Sequence, residues 1–195
     1  KGHKPNGDWR GHKADIFEGG HRVPFLVRWP ARIKPARASA ATVCTTDFFA
    51  TAADSIGVLD AIDDSVAEDS FSFLGELTGG KGTLRSTTVH HSINGTFAIR
   101  QGKWKLSLCP GSGGWSSPRP GKESKGMPPV QLYDLENDPA EQNNLAEQYP
   151  EIVDRLVAQL AKEIHDGRST AGSVQKNDGA IPFPENVLGD YPELK

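Results

Sequence analysis

TTVHHSINGTFAIR, residues 87–100, is the stretch that decides the fold of this chain. Two runs of strand-forming residues flank Asn94 and Gly95, and an Asn-Gly pair is a strong hairpin signal because both residues tolerate positive φ. After Gly102, the alternation of residues 103–108 indicates a third strand. The sequence therefore predicts an antiparallel meander that begins with this hairpin.

The segments that follow extend the predicted sheet. Residues 109–129 are dense in Gly, Pro, Ser and Lys and are expected to form a long loop, and residues 130–135 are predicted to return as a fourth strand. The clearest helix is predicted from about Pro150 to His165, ended by Gly167. We expect one apolar face of it to pack on the sheet, formed by Val153, Leu156, Val157, Leu160 and Ile164.

Upstream of the hairpin, the sequence predicts a strand and a second helix. Residues 21–30 are mostly apolar, and Pro24 and Pro30 place them at the start of a strand or at a sheet edge. A helix is predicted to begin with Thr45 or Thr46 as its N-cap. One apolar stripe is expected on this helix, formed by Phe48, Phe49, Ala52, Ala53 and Ile56.

Three further segments are read from local signals. Residues 138–141, Asp-Pro-Ala-Glu, have the form of a capping box with proline at the first helical position. Residues 60–69 are acidic and are predicted to form a solvated loop. The tail, residues 171–195, is polar and is predicted to be irregular because it is broken by Pro182, Pro184 and Pro192.

The composition excludes several classes of function. The 195 residues carry 22 basic and 25 acidic side chains, a net charge of −3, without a long block of one sign. We therefore expect no nucleic-acid partner and no membrane contact through a basic patch. No apolar run is long enough for a membrane span. Cys44 and Cys109 have no metal-ligand spacing, and one disulfide or two free thiols are both compatible with the sequence.

The beginning of the chain is typical of a piece of a longer protein. Lys1 opens a polar turn that contains Pro5 and Gly7. No apolar segment of a signal peptide follows it.

Three segments, in this order, carry a family resemblance. The first is RGHKADIFEGGHRVPFLVRWP, residues 10–30, which resembles the second sulfatase signature, roughly R-G-x-K-x-x-x-x-E-G-G-x-R-V-P. The second, TDFFAT at 46–51, is similar to the family's T-D-x-x-P-T helix start, with Ala50 where proline is usual. The third, between His90 and Ala146, is similar to the A-I-R-x-G-x-W-K-L and L-Y-D-L-x-x-D-P-x-E-x-x-N-L ending of bacterial sulfatases.

The resemblance implies the parent fold. Sulfatases are similar to alkaline phosphatases, in which a large α/β domain is followed by a small C-terminal subdomain of four antiparallel strands and a helix. Residues 1–80 are then expected to end the catalytic α/β domain, with the lysine loop, a strand and a helix. Residues 81–170 are expected to form the C-terminal antiparallel-sheet subdomain, and residues 171–195 an irregular tail.

The resemblance also implies a sulfuric ester hydrolase. Lys13 matches the family's lysine that contacts the sulfate group, whereas a lysine near glycines without this context is usually a solvated turn residue. The family's nucleophile, a cysteine or serine converted to formylglycine in C/S-x-P/A-x-R, does not occur in this sequence, and neither does the S-D-N-G motif of its calcium site. Ca²⁺ is therefore expected in the full-length parent and not on this chain, which alone is expected to be inactive.

Weaker candidates for substrate contact lie in the predicted sheet and in its long loop. His90 and His91 alternate faces on a strand, so one is expected to point inward and one outward. A partly buried, hydrogen-bonded histidine is common on sheets, and the alternative is that such a residue lines the mouth of the parent's substrate site. Trp115, in the loop 109–129, is a candidate for substrate recognition, because long Gly- and Pro-rich loops in compact domains are often functional or disordered.

Residues near Lys13 are given structural or minor roles. His3 and His12 lie close to Lys13 in the sequence and are possible neighbours of the sulfate. Glu18 is expected to pair with an arginine, with Arg22 four residues away, or to cap a turn, and not to act as an acid or base.

The expected partners are a sulfate-ester substrate, aryl or carbohydrate, and the N-terminal catalytic segment that this sequence lacks. Two other interpretations stay open: a stand-alone binding or accessory module derived from a sulfatase, and a phosphoester hydrolase of the same superfamily. The E-G-G-H-R-V-P run that begins at Glu18 disfavours the phosphoester hydrolase. From the habit of many bacterial sulfatases, we expect a periplasmic or extracellular location.

Overall fold

The computed structural model of the chain describes residues 2–35, 37–80, 84–179, 183 and 185–194. They fall into two compact units. The first unit contains the described residues of Lys1–Val23, Val89–Lys162 and Gly179–Lys195, and the second contains those of Pro24–Thr88 and Glu163–Asp178. The helices are α1 (Glu18–His21), α2 (Phe48–Ser55), α3 (Leu74–Thr78), α4 (Pro150–Asp166) and α5 (Glu185–Asp190), and the strands are β1 (Thr87–His91), β2 (Phe97–Gln101), β3 (Trp104–Ser107) and β4 (Gln131–Asp134).

The predicted meander is confirmed. The sheet has the order β1-β2-β3-β4, and β3 pairs antiparallel with both β2 and β4. Ile99 lies opposite Leu106, and Leu106 lies opposite Leu132, so a row of fully buried aliphatic side chains crosses three strands. Such cross-strand pairs contribute roughly 0.2–1 kcal/mol each. One cluster of buried residues in the first unit consists of Ile16, Phe17, Ala98, Cys109, Tyr133 and Leu135.

The β1–β2 hairpin turns where the Asn-Gly pair predicts it. The Gly95 N–H donates to the Ser92 carbonyl and the Ser92 N–H to the Thr96 carbonyl, both at 3.0 Å. Of the pair, only Gly95 has a positive φ, 76°. The loop therefore spans three residues with glycine in the left-handed position, instead of the two-residue turn in which both residues have positive φ.

Helix α4 is also confirmed, and Gly167 follows it with a φ of 62°. The structure buries four of the five residues of the expected face, and Ile164 is only partly buried. Arg155 of this helix donates a hydrogen bond to the Gln101 side chain at the end of β2. Helix and sheet are thereby joined by a polar contact as well as by apolar burial.

The strand predicted at 21–30 is not formed. None of the four strands pairs with this segment, and no regular secondary structure follows α1 in it. A strand needs a neighbour to satisfy its N–H and C=O groups, and among the described residues no neighbouring strand is available. Its apolar side chains are instead exposed: Val23 by 66%, Phe25 by 52%, Leu26 by 93% and Val27 by 41%.

The helix predicted after Thr45 is confirmed as a 3-10 turn, Thr45–Asp47, that continues into α2. Its predicted apolar stripe, however, faces mostly solvent. The buried residues of α2 are small, namely Ala50, Thr51 and Ala53, while Phe48, Phe49 and Ile56 are exposed. The apolar stripe therefore lacks a partner among the described residues.

A buried ion pair organises the second unit. Arg85 donates from Nε and Nη2 to the two carboxylate oxygens of Asp47, at 2.8 and 2.5 Å, and the two side chains are 5% and 2% exposed. Asp47 also accepts the backbone N–H groups of Cys44 and Phe71. Burial alone would lower the pKa of Arg85, but the hydrogen bonds and charge of Asp47 raise it.

The acidic stretch 60–69 is more than a solvated loop. The buried Arg168 guanidinium lies 3.1 Å from the Asp64 carboxylate and donates to the carbonyl oxygen of Ser173. The Ser169 N–H donates to the Asp69 carboxylate at 2.9 Å. These contacts fix the segment after α4 onto the acidic stretch.

No helix follows Asp138, although the capping-box pattern predicts one. The Asp138 carboxylate accepts the N–H groups of Gln142 and Asn143, each at 2.8 Å, and this closes a turn. Glu141 has a positive φ of 52° and is fully buried. Its carboxylate binds groups far away in the sequence, and this tertiary contact replaces the local capping interaction.

The tail is partly helical rather than irregular. It contains α5 and a 3-10 turn, Pro192–Leu194, while Pro182 and Pro184 lie outside the described residues, as does Lys1. Phe183 is buried, with its ring 4.9 Å from that of Phe97. The division into domains at residues 80 and 170 stays a prediction.

Cys44 and Cys109 are both free cysteines, so the alternative of two thiols holds in this structure. Cys109 is buried, and burial raises the pKa of its thiol to about 11.

Candidate functional site

Lys13 lies at the tip of a closed loop that runs from Arg10 to Gly20, which we call the lysine loop. The Gly19 N–H donates to the Arg10 carbonyl at 2.8 Å, and a Cβ atom at Gly19 would lie 2.5 Å from that same oxygen. Only glycine therefore fits where the two ends of the loop meet. Ala14, next to Lys13, has a φ of 89°, which costs a non-glycine residue about 1 kcal/mol or more. The surrounding contacts must hold this conformation.

Asp15 joins this loop to the long loop 109–129. Its fully buried carboxylate accepts the backbone N–H groups of Trp115 and Ser116, at 2.8 and 2.9 Å, and the Ser116 hydroxyl at 2.5 Å. It also accepts the N–H of His12 at 2.9 Å. Burial alone would raise the pKa of Asp15, but these hydrogen bonds lower it. Asp15 is thus an ionised group that fixes both loops.

A buried lysine lies between two buried carboxylates below the loop. The Lys105 amine, fully buried on β3, lies 3.1 Å from Glu18 Oε1 and 2.8 Å from Glu141 Oε1. Neither carboxylate side chain is more than 4% exposed. A buried charge is tolerated only when it is paired and hydrogen-bonded, and this triad meets that condition.

The two carboxylates of the triad have opposite pKa shifts. Burial alone would raise the pKa of Glu18, but the charges of Lys105 and Arg22 hold it at about 2. Arg22 Nε donates to Glu18 at 2.6 Å, as the sequence predicts, and Arg100 lies 3.6 Å from the same oxygen. For Glu141, burial raises the pKa and Lys105 offsets it only in part. Glu18 is therefore the permanent anion of the triad.

Glu141 also fixes the backbone of the lysine loop. Its Oε2 accepts the N–H of Glu18 at 2.5 Å, and its carbonyl accepts Arg10 Nη1 at 2.7 Å. The Arg10 guanidinium stacks on the ring of Phe17, 3.9 Å from the centroid. Both ends of the loop are thereby attached to one residue.

Two histidine rings pack against each other beside the triad. The centroids of His21 and His90 are 3.9 Å apart, and each ring forms a hydrogen bond to the loop backbone, at Asp15 and Ile16 respectively. Burial and the nearby Lys105 charge lower the pKa of both rings, to about 4 for His21 and well below the usual value for His90. Both imidazoles are neutral at pH 7 and hold the loop from beneath.

His91 faces the other way, as consecutive strand residues do. It is exposed, and its ring meets that of Phe97 edge to face with the centroids 4.1 Å apart. His90 and His91 therefore do not come together, and a substrate contact by either remains a prediction.

The Lys13 side chain is exposed, and no hydrogen bond or ion pair of its amine occurs among the residues that the structure describes. The neighbouring His12 turns its ring Nδ1 to the Lys13 carbonyl oxygen at 3.0 Å. His3 is exposed as well. The loop thus presents one unneutralised ammonium group on a rigid base, an arrangement suited to binding an anion.

Sequence reasoning missed three residues that build this site: Asp15, Lys105 and Glu141. Lys105 occupies an alternating strand, where a lysine normally faces solvent, and Glu141 occurs in a convincing local capping pattern. The available signal was weak. Lys105 lies between Trp104 and Leu106 on the strand and faces the opposite side of the sheet from them, so a sheet covered on both sides has to bury the lysine as well as the apolar pair.

No group of three or more His, Cys, Asp or Glu side chains able to hold a metal ion occurs in the described part of the chain. The acidic residues of the site are already bound to cations or backbone N–H groups. These residues therefore do not fit a calcium ion. None of the helices in these described residues has the length and apolar character of a membrane span.

A groove of about 420 Å³ lies elsewhere in the first unit, between residues 126–130 and the start of α4. Its charged lining residues are Glu147 and Asp154, both acidic. Because two carboxylates repel an anion and no cation offsets them, this groove does not suit a sulfate or phosphate ester.

Comparison with individual known proteins identifies relatives of this chain. No family model matches the chain. The chain is 38% identical over 158 residues to the N-acetylgalactosamine-6-O-sulfatase of Bacteroides thetaiotaomicron, which covers 80% of this chain and 30% of that protein. It is 30% identical over 190 residues to human arylsulfatase A, over 87% of this chain and 36% of that protein. The chain thus spans about a third of the length of these relatives.

A solved structure gives the same result. A sulfatase studied for the metabolism of multiple glycosaminoglycans by Bacteroides thetaiotaomicron superposes with a TM-score of 0.67 at 36% identity. The match covers 84% of this chain and 33% of that one.

Proposed function

Since this chain belongs to the sulfatase family and has the fold of its C-terminal part, we propose that it completes the active site of an enzyme that hydrolyses sulfate esters. Within that site, Lys13 contacts the sulfate group. The observation that carries this proposal is the unneutralised Lys13 ammonium group on a loop whose two carboxylates, Asp15 and Glu18, are buried and already hydrogen-bonded.

The chemical role of Lys13 follows from the charge of the substrate. A sulfate monoester carries one negative charge, and further charge develops on its oxygens as the S–O bond breaks. A fixed ammonium group stabilises that charge without having to reorganise, which is the main source of electrostatic catalysis. The Glu18–Lys105–Glu141 triad and Asp15 supply the fixed position.

The exposed segment after α1 supports the proposal that the chain is part of a larger domain. Leu26 is 93% exposed and Phe25 52% exposed, in a stretch whose apolar pattern is typical of a buried strand. An unpaired apolar strand needs a neighbouring sheet to satisfy its backbone and cover its side chains. The remainder of a sulfatase α/β domain would supply both.

The substrate and the location of the enzyme are part of the proposal. The Bacteroides relative is named for a sulfated amino sugar, and we extend to this chain only the broader class of aryl or carbohydrate sulfates. The nucleophile and calcium ligands of the family would come from motifs that do not occur in these 195 residues. For the location we propose export to the periplasm or the extracellular space, as in many bacterial sulfatases.

The test uses the full-length protein that carries this chain. Lys13→Ala should lower kcat/KM for a sulfate ester by roughly 10²–10³-fold, the usual effect of removing one group that stabilises developing charge. Lys13→Arg should recover part of this loss, because it keeps the charge. Lys34→Ala, which removes an exposed lysine of the second unit, is the matched control and should leave the rate unchanged.

Two outcomes would contradict the proposal. If Lys13→Ala and Lys34→Ala have equal rates, Lys13 does not contact the sulfate. If phosphate esters are hydrolysed faster than sulfate esters in a parallel assay, the protein is a phosphoester hydrolase of the same superfamily.

The isolated residues 1–195 should hydrolyse no sulfate ester above the level of their Lys13→Ala variant. The coding sequence upstream of Lys1 then decides between an enzyme and an accessory module. An upstream C-x-P-S-R and S-D-N-G support the enzyme. A start codon next to Lys1 supports a stand-alone binding module.

A further inference from the structure

Trp115 has a solvent-exposed aromatic side chain, although the loop residues just before it are buried. Trp115 is 54% exposed, whereas residues 111–114 are all buried. No stacking or cation–π contact of its ring occurs among the described residues. Exposure of one tryptophan is not unusual by itself, so the argument depends on how this residue is positioned.

The backbone around Trp115 is fixed on both sides. Its N–H donates to Asp15 at 2.8 Å, and its carbonyl accepts Arg119 Nε at 2.9 Å. The Ser112 hydroxyl accepts the N–H of Gly114 and donates to the carbonyl of Ser116. The exposed ring therefore extends from a rigid part of the loop.

Trp115 also emerges next to the lysine loop. Gly114 packs so closely on Ala14 that a Cβ atom there would lie 2.4 Å from the Ala14 carbonyl oxygen. Lys13 precedes Ala14 and Trp115 follows Gly114. With about 3.8 Å between consecutive Cα atoms, the Cα atoms of Lys13 and Trp115 are roughly 14 Å apart at most, so both side chains can reach one sulfated sugar.

We propose that Trp115 binds the sugar ring of a carbohydrate sulfate while Lys13 holds its sulfate group. This inference rests on the proposed function and narrows its substrate class. A pyranose ring has an apolar face of C–H groups, and a flat indole ring removes that face from water while leaving the hydroxyl groups solvated. The same rigid carboxylate, Asp15, positions both groups, so the distance from sulfate to ring is set before the substrate binds.

The test compares two sulfate esters on the full-length protein. One substrate is a sulfated disaccharide, and the other is a short alkyl sulfate that has no ring. Trp115→Ala should raise KM for the disaccharide roughly 10- to 100-fold with little change in kcat, and Trp115→Phe should raise it only severalfold, because it keeps an aromatic face. Neither substitution should alter alkyl sulfate hydrolysis. Lys122→Ala, an exposed residue of the same loop, is the matched control.

Each result has a defined meaning. Equal losses on both substrates in Trp115→Ala would overturn the inference, because they would show that the residue supports the lysine loop instead of the sugar. An unchanged KM for the disaccharide would overturn it as well.

Binding of the disaccharide to the same variants, measured by calorimetry, separates this inference from the proposed function. If the wild-type protein hydrolyses neither ester, the proposed enzyme function fails. Weaker disaccharide binding by Trp115→Ala than by Lys122→Ala would still support the sugar contact, and equal binding would exclude it.

Discussion

The two compact units of the chain use their apolar residues in opposite ways. The first unit buries large side chains such as Ile99, Leu106 and Leu132 completely. The second buries mainly small and charged groups, while Leu26 and Phe48 are 93% and 65% exposed. The first unit therefore completes a hydrophobic core from its own residues. The second unit is held by ion pairs and hydrogen bonds and leaves several of its large apolar side chains exposed.

Matched leucine substitutions give the largest expected contrast. Leu132→Ala in the first unit should lower the free energy of unfolding by about 3–4 kcal/mol, because the side chain is fully buried and leaves a cavity. Leu26→Ala in the second unit should change it by less than about 0.5 kcal/mol. Urea denaturation of the chain measures both. Similar losses in the two variants would show that Leu26 is covered in solution.

The buried triad is the next largest contribution to the first unit. Lys105→Met should cost about 3 kcal/mol, because two buried carboxylates lose their common cation. Lys103→Met is the matched control, since its amine pairs with Asp134 at 2.7 Å but is 40% exposed, and it should lower the free energy of unfolding far less than Lys105→Met. Equal urea midpoints for the two variants would contradict a structural role of the triad.

In the second unit, the corresponding test is Arg85→Met. The expected loss is about 2 kcal/mol, smaller than for Lys105 because Asp47 keeps two backbone N–H donors after the arginine is removed. Hydrogen exchange should accelerate at the amides of Cys44 and Phe71 and stay unchanged at Leu106 in β3. Acceleration in β3 as well would mean that the two units unfold together.

The smallest expected effect is the pH dependence of the histidine pair. The folded-state pKa of His21 is about 4, below the unfolded value of 6.5, and that of His90 is also lowered. The unfolded chain therefore binds more protons, and stability should fall as the pH drops from 6.5 towards 4. We expect the two groups together to lower the free energy of unfolding by about 1 kcal/mol between pH 7 and pH 6, because a difference of one pKa unit corresponds to about 1.4 kcal/mol.

Substitution separates this histidine contribution from that of the carboxylates. Glu18, with a pKa of about 2, stays ionised throughout this range. Urea midpoints at pH 7, 6, 5 and 4 should decrease in the wild type and decrease less in a His21→Asn, His90→Asn double variant. An identical slope in both proteins would assign the loss to other groups.

The sequence predicted the framework of the first unit because its signals are local. Asn94-Gly95 marks the hairpin, and the 3.6-residue period of Val153, Leu156 and Leu160 marks α4. The same local logic was wrong at residues 138–141 and 21–30. At residues 138–141, the Glu141 carboxylate pairs with buried groups of the fold instead of capping a local helix. Residues 21–30 form no strand because no neighbouring strand is available among the described residues.

The sequence by itself determined the four strands of the sheet, the hairpin, α4 and the family motif around Lys13, because each depends on residues that are close together in the chain. Only the tertiary structure decided that Glu18 meets Lys105, 87 positions away, and that Asp15 meets Ser116, 101 positions away. The physical reason is that a buried charge can be satisfied by any group that the fold brings within about 3 Å, and sequence spacing carries no information about that meeting.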